Sequence, residues 1–154
     1  ISESLGYKSK PSLELGDTGL LSTAIDYLRF TQMLLNDGEL DGVRLLEPNT
    51  VKLMVSNHLP ERLGTAPLSV LKGYPVADRE GMGYGITMAV VTDAVSAESK
   101  GSTGEYTWGG AAATEFWVDP QEDMIGLVFT QFMIGWESYP IRTVMHQSTY
   151  NSVQ

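Results

Sequence analysis

The residues of this 154-residue chain best suited to chemistry are Trp108-Gly109-Gly110-Ala111. They lie within Glu105-Tyr-Thr-Trp-Gly-Gly-Ala-Ala-Ala-Thr-Glu-Phe-Trp-Val-Asp-Pro120, which alternates, pauses at two glycines and resumes as a strand. Adjacent glycines at a strand edge cost conformational entropy and add no packing. They are useful where a ligand must come close to the backbone. A simple strand bulge is the alternative reading. What the stretch offers chemically is backbone N–H groups, the donors that hold a developing oxyanion.

Acyl transfer also needs an activated nucleophile and a base. No Gly-x-Ser-x-Gly elbow occurs. The chain reads as carrying no complete catalytic set, a Ser-x-x-Lys nucleophile included. There is no phosphate-cradling glycine loop with lysine and no zinc-helix motif. Cysteine is absent, which removes disulfides, thiolate metal sites and thiol nucleophiles. The two histidines, His58 and His146, are far apart, and neither stands at metal-ligand spacing from a carboxylate. No metal and no cofactor are therefore expected. His58 follows a helix end, where a cationic side chain suits the dipole.

Composition narrows the rest. With 42% hydrophobic residues the chain can build a packed core. A formal net charge of −9 opposes non-specific nucleic-acid binding, which requires a basic surface. No run approaches the roughly 20 apolar residues of a membrane span. The chain opens at Ile1 in a polar stretch without a basic-then-apolar leader, which reads as a processed chain or a fragment. Its compartment is left open.

The elements that must position the glycine stretch are read as follows. Residues 1–19 form a loop. Thr23 with Asp26 resembles a weakened capping box opening a helix that ends at Gly38, with 24, 27, 28, 31, 34 and 35 on its inner face. Asp41-Gly42 makes a turn before a short strand at Val43–Leu46. Pro48 starts a second helix to about Ser56, burying Val51, Met54 and Val55. Residues 57–82 read as a long loop. Residues 83–132 read as three strands: a continuous one over Gly83–Thr92, the glycine stretch ending at Val118, and Met124–Phe132 as a central strand. A terminal helix over residues 140–150 turns Ile141, Val144, Met145 and Thr149 inward. The fold class is α+β, an antiparallel sheet flanked by helices.

With these elements in order, the chain resembles the C-terminal portion of the serine β-lactamase-like superfamily. The similarity is greatest to the branch of class C β-lactamases, penicillin-binding-protein-like proteins and family VIII carboxylesterases. Gly104–Pro120, Gly19–Asn36, Gly38–Pro48 and Gly83-Tyr-Gly85 carry it, from about Gly16 onward. The resemblance implies a β-lactamase/transpeptidase-like fold and small acyl substrates: β-lactams, esters or peptides. It implies a Ser-x-x-Lys and a Tyr-x-Asn-type motif in a missing N-terminal portion of the same protein. The family's third motif, Lys-Thr-Gly in many members, maps onto Trp108-Gly109-Gly110 as substrate-binding residues. Ala111 would give one backbone N–H to the oxyanion hole. Trp108 in place of lysine removes a cation that would hold a substrate carboxylate, which tilts the reading toward an esterase. The second reading is a non-catalytic binding module, or one that self-associates through an exposed sheet edge.

Overall fold

The computed structural model describes residues 21–60, 80–132 and 140–153. The expected loop at 1–19 and most of the loop at 57–82 lie outside them. Helix α1 spans Ala24–Leu35. Its start is fixed locally: Thr23 Oγ1 accepts from the Asp26 N–H at 3.1 Å. The Thr23 hydroxyl also donates to the Asp26 carboxylate, so the shorter acid does not reach back to the cap N–H as glutamate would. The helix stops through two left-handed residues, Asp37 (φ 53°) and Gly38 (φ 92°). The Gly38 N–H donates to the Met33 carbonyl. Thr31, the one polar residue of the expected inner face, is fully buried. It spends its hydroxyl on the Tyr27 and Leu28 carbonyls.

Strands β1 (Glu39–Leu40) and β2 (Val43–Arg44) form a hairpin. Its two-residue turn, Asp41-Gly42, has positive φ at both positions, which matches strand twist. Helix α2 spans Pro48–Met54.

The main sheet is antiparallel, in the order β3 (Met82–Tyr84), β4 (Ala89–Val91), β5 (Tyr106–Gly109), β6 (Glu115–Asp119), β7 (Met124–Val128). The continuous strand expected over Gly83–Thr92 is thus corrected to a hairpin. Tyr84 pairs with Ala89, and the chain reverses through Gly85–Met88, with Thr87 at φ 69°. The reversal divides the run between faces: Tyr84 joins the Ala89 and Val91 cluster, Ile86 is exposed, and Met88 and Val90 enter the other cluster. The 83–132 region therefore contributes to five strands rather than three. β7 is also corrected. It is the last strand of the sheet among the described residues, not a central one. Its apolar run reflects the helices α1 and α3 (Ile141–Val153) lying on its two faces.

Alternation sorts the sheet residues. Val90, Tyr106, Phe116 and Val118 pack with Met33 and Leu34 of α1 and Val51 of α2. The opposite face receives helix α3, Ile141–Val153. Here the expected inward set is corrected. Val144 and Met145 are exposed, while Arg142 and His146 are half-buried and Tyr150 is buried. These three lie at i, i+4 and i+8, one stripe of a helix. They meet a polar sheet face formed by Glu105, Thr107, Glu115 and Asp119, all buried. His146 Nε2 sits 3.0 and 2.9 Å from the two Glu105 oxygens. The Tyr150 hydroxyl is 2.7 Å from Glu105 and 2.8 Å from Asp119, and its single proton serves one of them at a time. Asp119 is held further by the Ser102 and Gln121 N–H groups. Burial works to raise its pKa, but these bonds outweigh it and keep the carboxyl below its usual range.

The β3 edge is covered. Asn57 Oδ1 accepts from the Tyr84 N–H at 3.1 Å, and the Tyr84 carbonyl accepts from the His58 N–H at 2.9 Å. The His58 ring itself contacts the Leu53 carbonyl at the end of α2, at 2.8 Å.

Removing the Tyr150 hydroxyl leaves buried carboxylates short of a donor. Tyr150→Phe is expected to lower unfolding free energy by about 1–3 kcal/mol in urea titration, a range set by unsatisfied buried polar groups. An unchanged midpoint would show that α3 is held by its apolar contacts alone.

Candidate functional site

The glycine stretch forms the end of β5 and the turn into β6. Gly109 pairs with Glu115. Beyond it the Gly110 N–H donates to the Thr114 carbonyl at 3.0 Å. Ala113, buried, takes a positive φ of 56°. The Ala112 carbonyl accepts from the Thr130 hydroxyl and from the Phe132 N–H. The Gly110 carbonyl accepts from Arg142 Nη2 at 2.5 Å. Ala111 is exposed, and its N–H has no hydrogen-bond partner among the described residues.

The two glycines are explained by close approach within the molecule. A Cβ on Gly109 would stand 2.9 Å from the Arg142 guanidinium carbon and 2.9 Å from the Thr114 carbonyl oxygen. One on Gly110 would stand 2.5 Å from Thr114 Oγ1. Trp108 is half-buried and packs against both apolar clusters of the sheet. Its ring meets Tyr84 edge-on, with centroids 5.3 Å apart. Trp108, Gly109, Gly110 and Ala111 form a rim at the end of β5: an aromatic side chain, two residues without side chains and an exposed alanine.

Behind this rim lies Glu115, 8% exposed. Burial pushes its carboxyl up to about 7, against the pull of Arg142, His146 and the Thr107 hydroxyl, with Glu105 pushing it further up. Sequence reasoning missed Glu115 and Arg142. The available signals were the carboxylates at odd positions 105, 115 and 119 and the stripe 142, 146, 150. Among the described residues no cluster of three or more His, Cys, Asp or Glu is arranged to hold a metal ion. No helix among them is long and apolar enough to cross a membrane.

An antiparallel sheet with helices on both faces is the fold of the β-lactamase and esterase class. This chain belongs to the Beta-lactamase family, whose model matches residues 3–143. Two curated relatives from Mycobacterium tuberculosis strains, Protein Rv1367c and Uncharacterized protein MT1414, are each 39% identical over 130 residues. The match covers 79% of this chain and 30% of each relative, so the chain spans about 30% of their length. Among solved structures, unliganded selenomethionyl simvastatin synthase (LovD) from Aspergillus terreus is 22% identical with a TM-score of 0.74, over 99% of this chain and 39% of that one. EstCE1, described as a hydrolase with promiscuous acyltransferase activity, is 24% identical with a TM-score of 0.64, over 82% of this chain and 29% of that one. At these identities the two structures establish the fold.

Two sequence readings are corrected. The resemblance is not confined to a C-terminal portion beginning near Gly16, because the family match starts at residue 3 and covers almost the whole chain. And a Ser-x-x-Lys spacing does occur, once, at Ser69-Val70-Leu71-Lys72, outside the described residues.

The Glu115 shift has a definite sign. A carboxyl whose folded pKa lies above its unfolded one stabilises the fold at low pH, and that contribution is lost as pH rises through the folded value. The window runs from the ordinary glutamate range, near 4.5, to about 7. Glu115→Gln mimics the protonated form. It is expected to flatten the fall in stability between about pH 4.5 and 7 and to raise the unfolding free energy at pH 8, measured by urea titration, by on the order of 1–3 kcal/mol. Identical pH slopes for both proteins would rule out Glu115 as the source.

Proposed function

We propose that these residues build one wall of the acyl-transfer site of a serine hydrolase acting on esters, β-lactams or peptides. In this reading Ala111 supplies one oxyanion-hole N–H, and Trp108, Gly109 and Gly110 line the acyl group. The observation that carries it is the exposed Ala111, whose N–H has no hydrogen-bond partner among the described residues while neighbouring polar groups of the turn are occupied. A serine from outside this chain attacks the acyl carbon. The carbonyl oxygen becomes an oxyanion facing Ala111, the leaving group departs, and water releases the acid from the acyl-enzyme. The nucleophile's own N–H is the second donor. Trp108 in place of a lysine favours esters over substrates bearing a carboxylate. Family membership supports acyl chemistry, as do structural neighbours described as a hydrolase with acyltransferase activity and as simvastatin synthase.

The full-length protein is expected to hydrolyse p-nitrophenyl butyrate, and the 154-residue polypeptide alone to give no serine-inhibitor-sensitive turnover. Ala111→Pro removes the N–H and should lower kcat by about 10²–10³, as loss of an oxyanion donor does elsewhere. Ser69→Ala should leave kcat unchanged. A collapse there would move the nucleophile into this chain and overturn the division of labour. Absence of turnover on esters, cephalosporins and peptides, together with concentration-dependent association, would instead favour a non-catalytic module.

A further inference from the structure

We infer that Arg142 is a positioning residue: by gripping the Gly110 carbonyl it sets the direction of the Ala111 N–H. The inference rests on the reading of Ala111 as an oxyanion donor. In a trans peptide the carbonyl of one residue and the N–H of the next point to opposite sides of the same plane. No cis bond occurs among the described residues. With the Gly110 carbonyl bonded to Arg142 Nη2 at 2.5 Å, the Ala111 N–H is directed away from α3, toward solvent.

This peptide needs an anchor. Glycine tolerates conformations closed to other residues, so the 110–111 plane can rotate at low cost. Rotation by about half a turn would exchange the groups, placing a carbonyl oxygen where an oxyanion is to sit. The other bonds of the turn do not prevent this. The Gly110 N–H bond to Thr114 acts on the preceding peptide, and the bonds of Thr130 and Phe132 act on the Ala112 carbonyl. Among the described residues, Arg142 alone holds the Gly110–Ala111 peptide.

Several features bring the guanidinium there. Gly109 lacks the Cβ that would collide with it. The helical stripe shared with His146 and Tyr150 roots Arg142 on a helix tied to the sheet by Glu105 and Asp119. Glu115, which pairs with Gly109 across the strands, lies near enough to the cation to feel its charge. A guanidinium stays charged and presents a rigid fan of donors, so its bond to a carbonyl is charge-assisted and directional.

The test compares kcat and KM for p-nitrophenyl butyrate in full-length wild type, Arg142→Ala, Arg142→Lys and Ala111→Pro, with folding checked by circular dichroism. Arg142→Ala should lose about 10²–10³ in kcat, the effect of an absent oxyanion donor, with KM within about threefold. Arg142→Lys retains a cationic single donor and should recover at least about tenfold of that loss. Guanidinium ion at sub-denaturing concentration should partly rescue Arg142→Ala, which a purely structural role would not permit. If Arg142→Ala does not fold, Arg142→Lys decides: a kcat loss with unchanged KM supports the inference, and wild-type kcat overturns it. Wild-type kcat in Arg142→Ala beside a collapse in Ala111→Pro overturns the Arg142 role and leaves the Ala111 reading standing. Wild-type kcat in Ala111→Pro, or an inactive wild type, overturns that reading and this inference with it.

Discussion

The structure depends on a buried polar seam between helix α3 and one face of the sheet. Arg142, His146 and Tyr150 descend from the helix, while Glu105 rises from the residue before β5 and Glu115 and Asp119 rise from β6. Burying carboxylates without partners costs several kcal/mol each, so the seam is stable only when its donors are in register. That requirement fixes the rotation of α3 about its axis and its height over the sheet. An apolar interface of the same area would tolerate sliding. This one does not, because a shift of one residue turns the stripe away from its acceptors.

The seam also explains how a rim of backbone can hold its shape. The turn after β5 contains one glycine and three alanines, with little side-chain packing of its own. Its conformation comes from hydrogen bonds delivered by other elements: Thr130 and Phe132 beyond β7, Thr114 at the start of β6, and Arg142 from α3. The two sheet faces divide the work. The α1 and α2 face supplies apolar mass through Met33, Leu34, Tyr106, Phe116 and Val118. The α3 face supplies directed polar contacts. Trp108 packs against the clusters of both faces, so the rim lies where the two meet.

Local signals were legible because local chemistry sufficed. The Thr23 cap, the left-handed stop at Gly38, the Asp41-Gly42 turn and Pro48 at a helix start each depend on residues within a few positions of one another. The Gly85–Met88 reversal was not read, since its flanks are apolar on both sides and a run covered on both faces shows no period to interrupt. The inner face of α3 was misread for a related reason. Apolar residues are taken to face inward unless a polar partner surface is known, and that surface comes from residues 105–119.

The sequence by itself determined the fold class and the family resemblance, because these follow from local pattern and residue type. Tertiary structure decided which groups surround that stretch. Arg142 is 32 residues from the carbonyl it holds, and His146 is 41 from Glu105. No periodicity links such pairs. They meet only when α3 lies across β5 and β6, so the hold on the Gly110 carbonyl is settled by packing and not by the residues on either side of it.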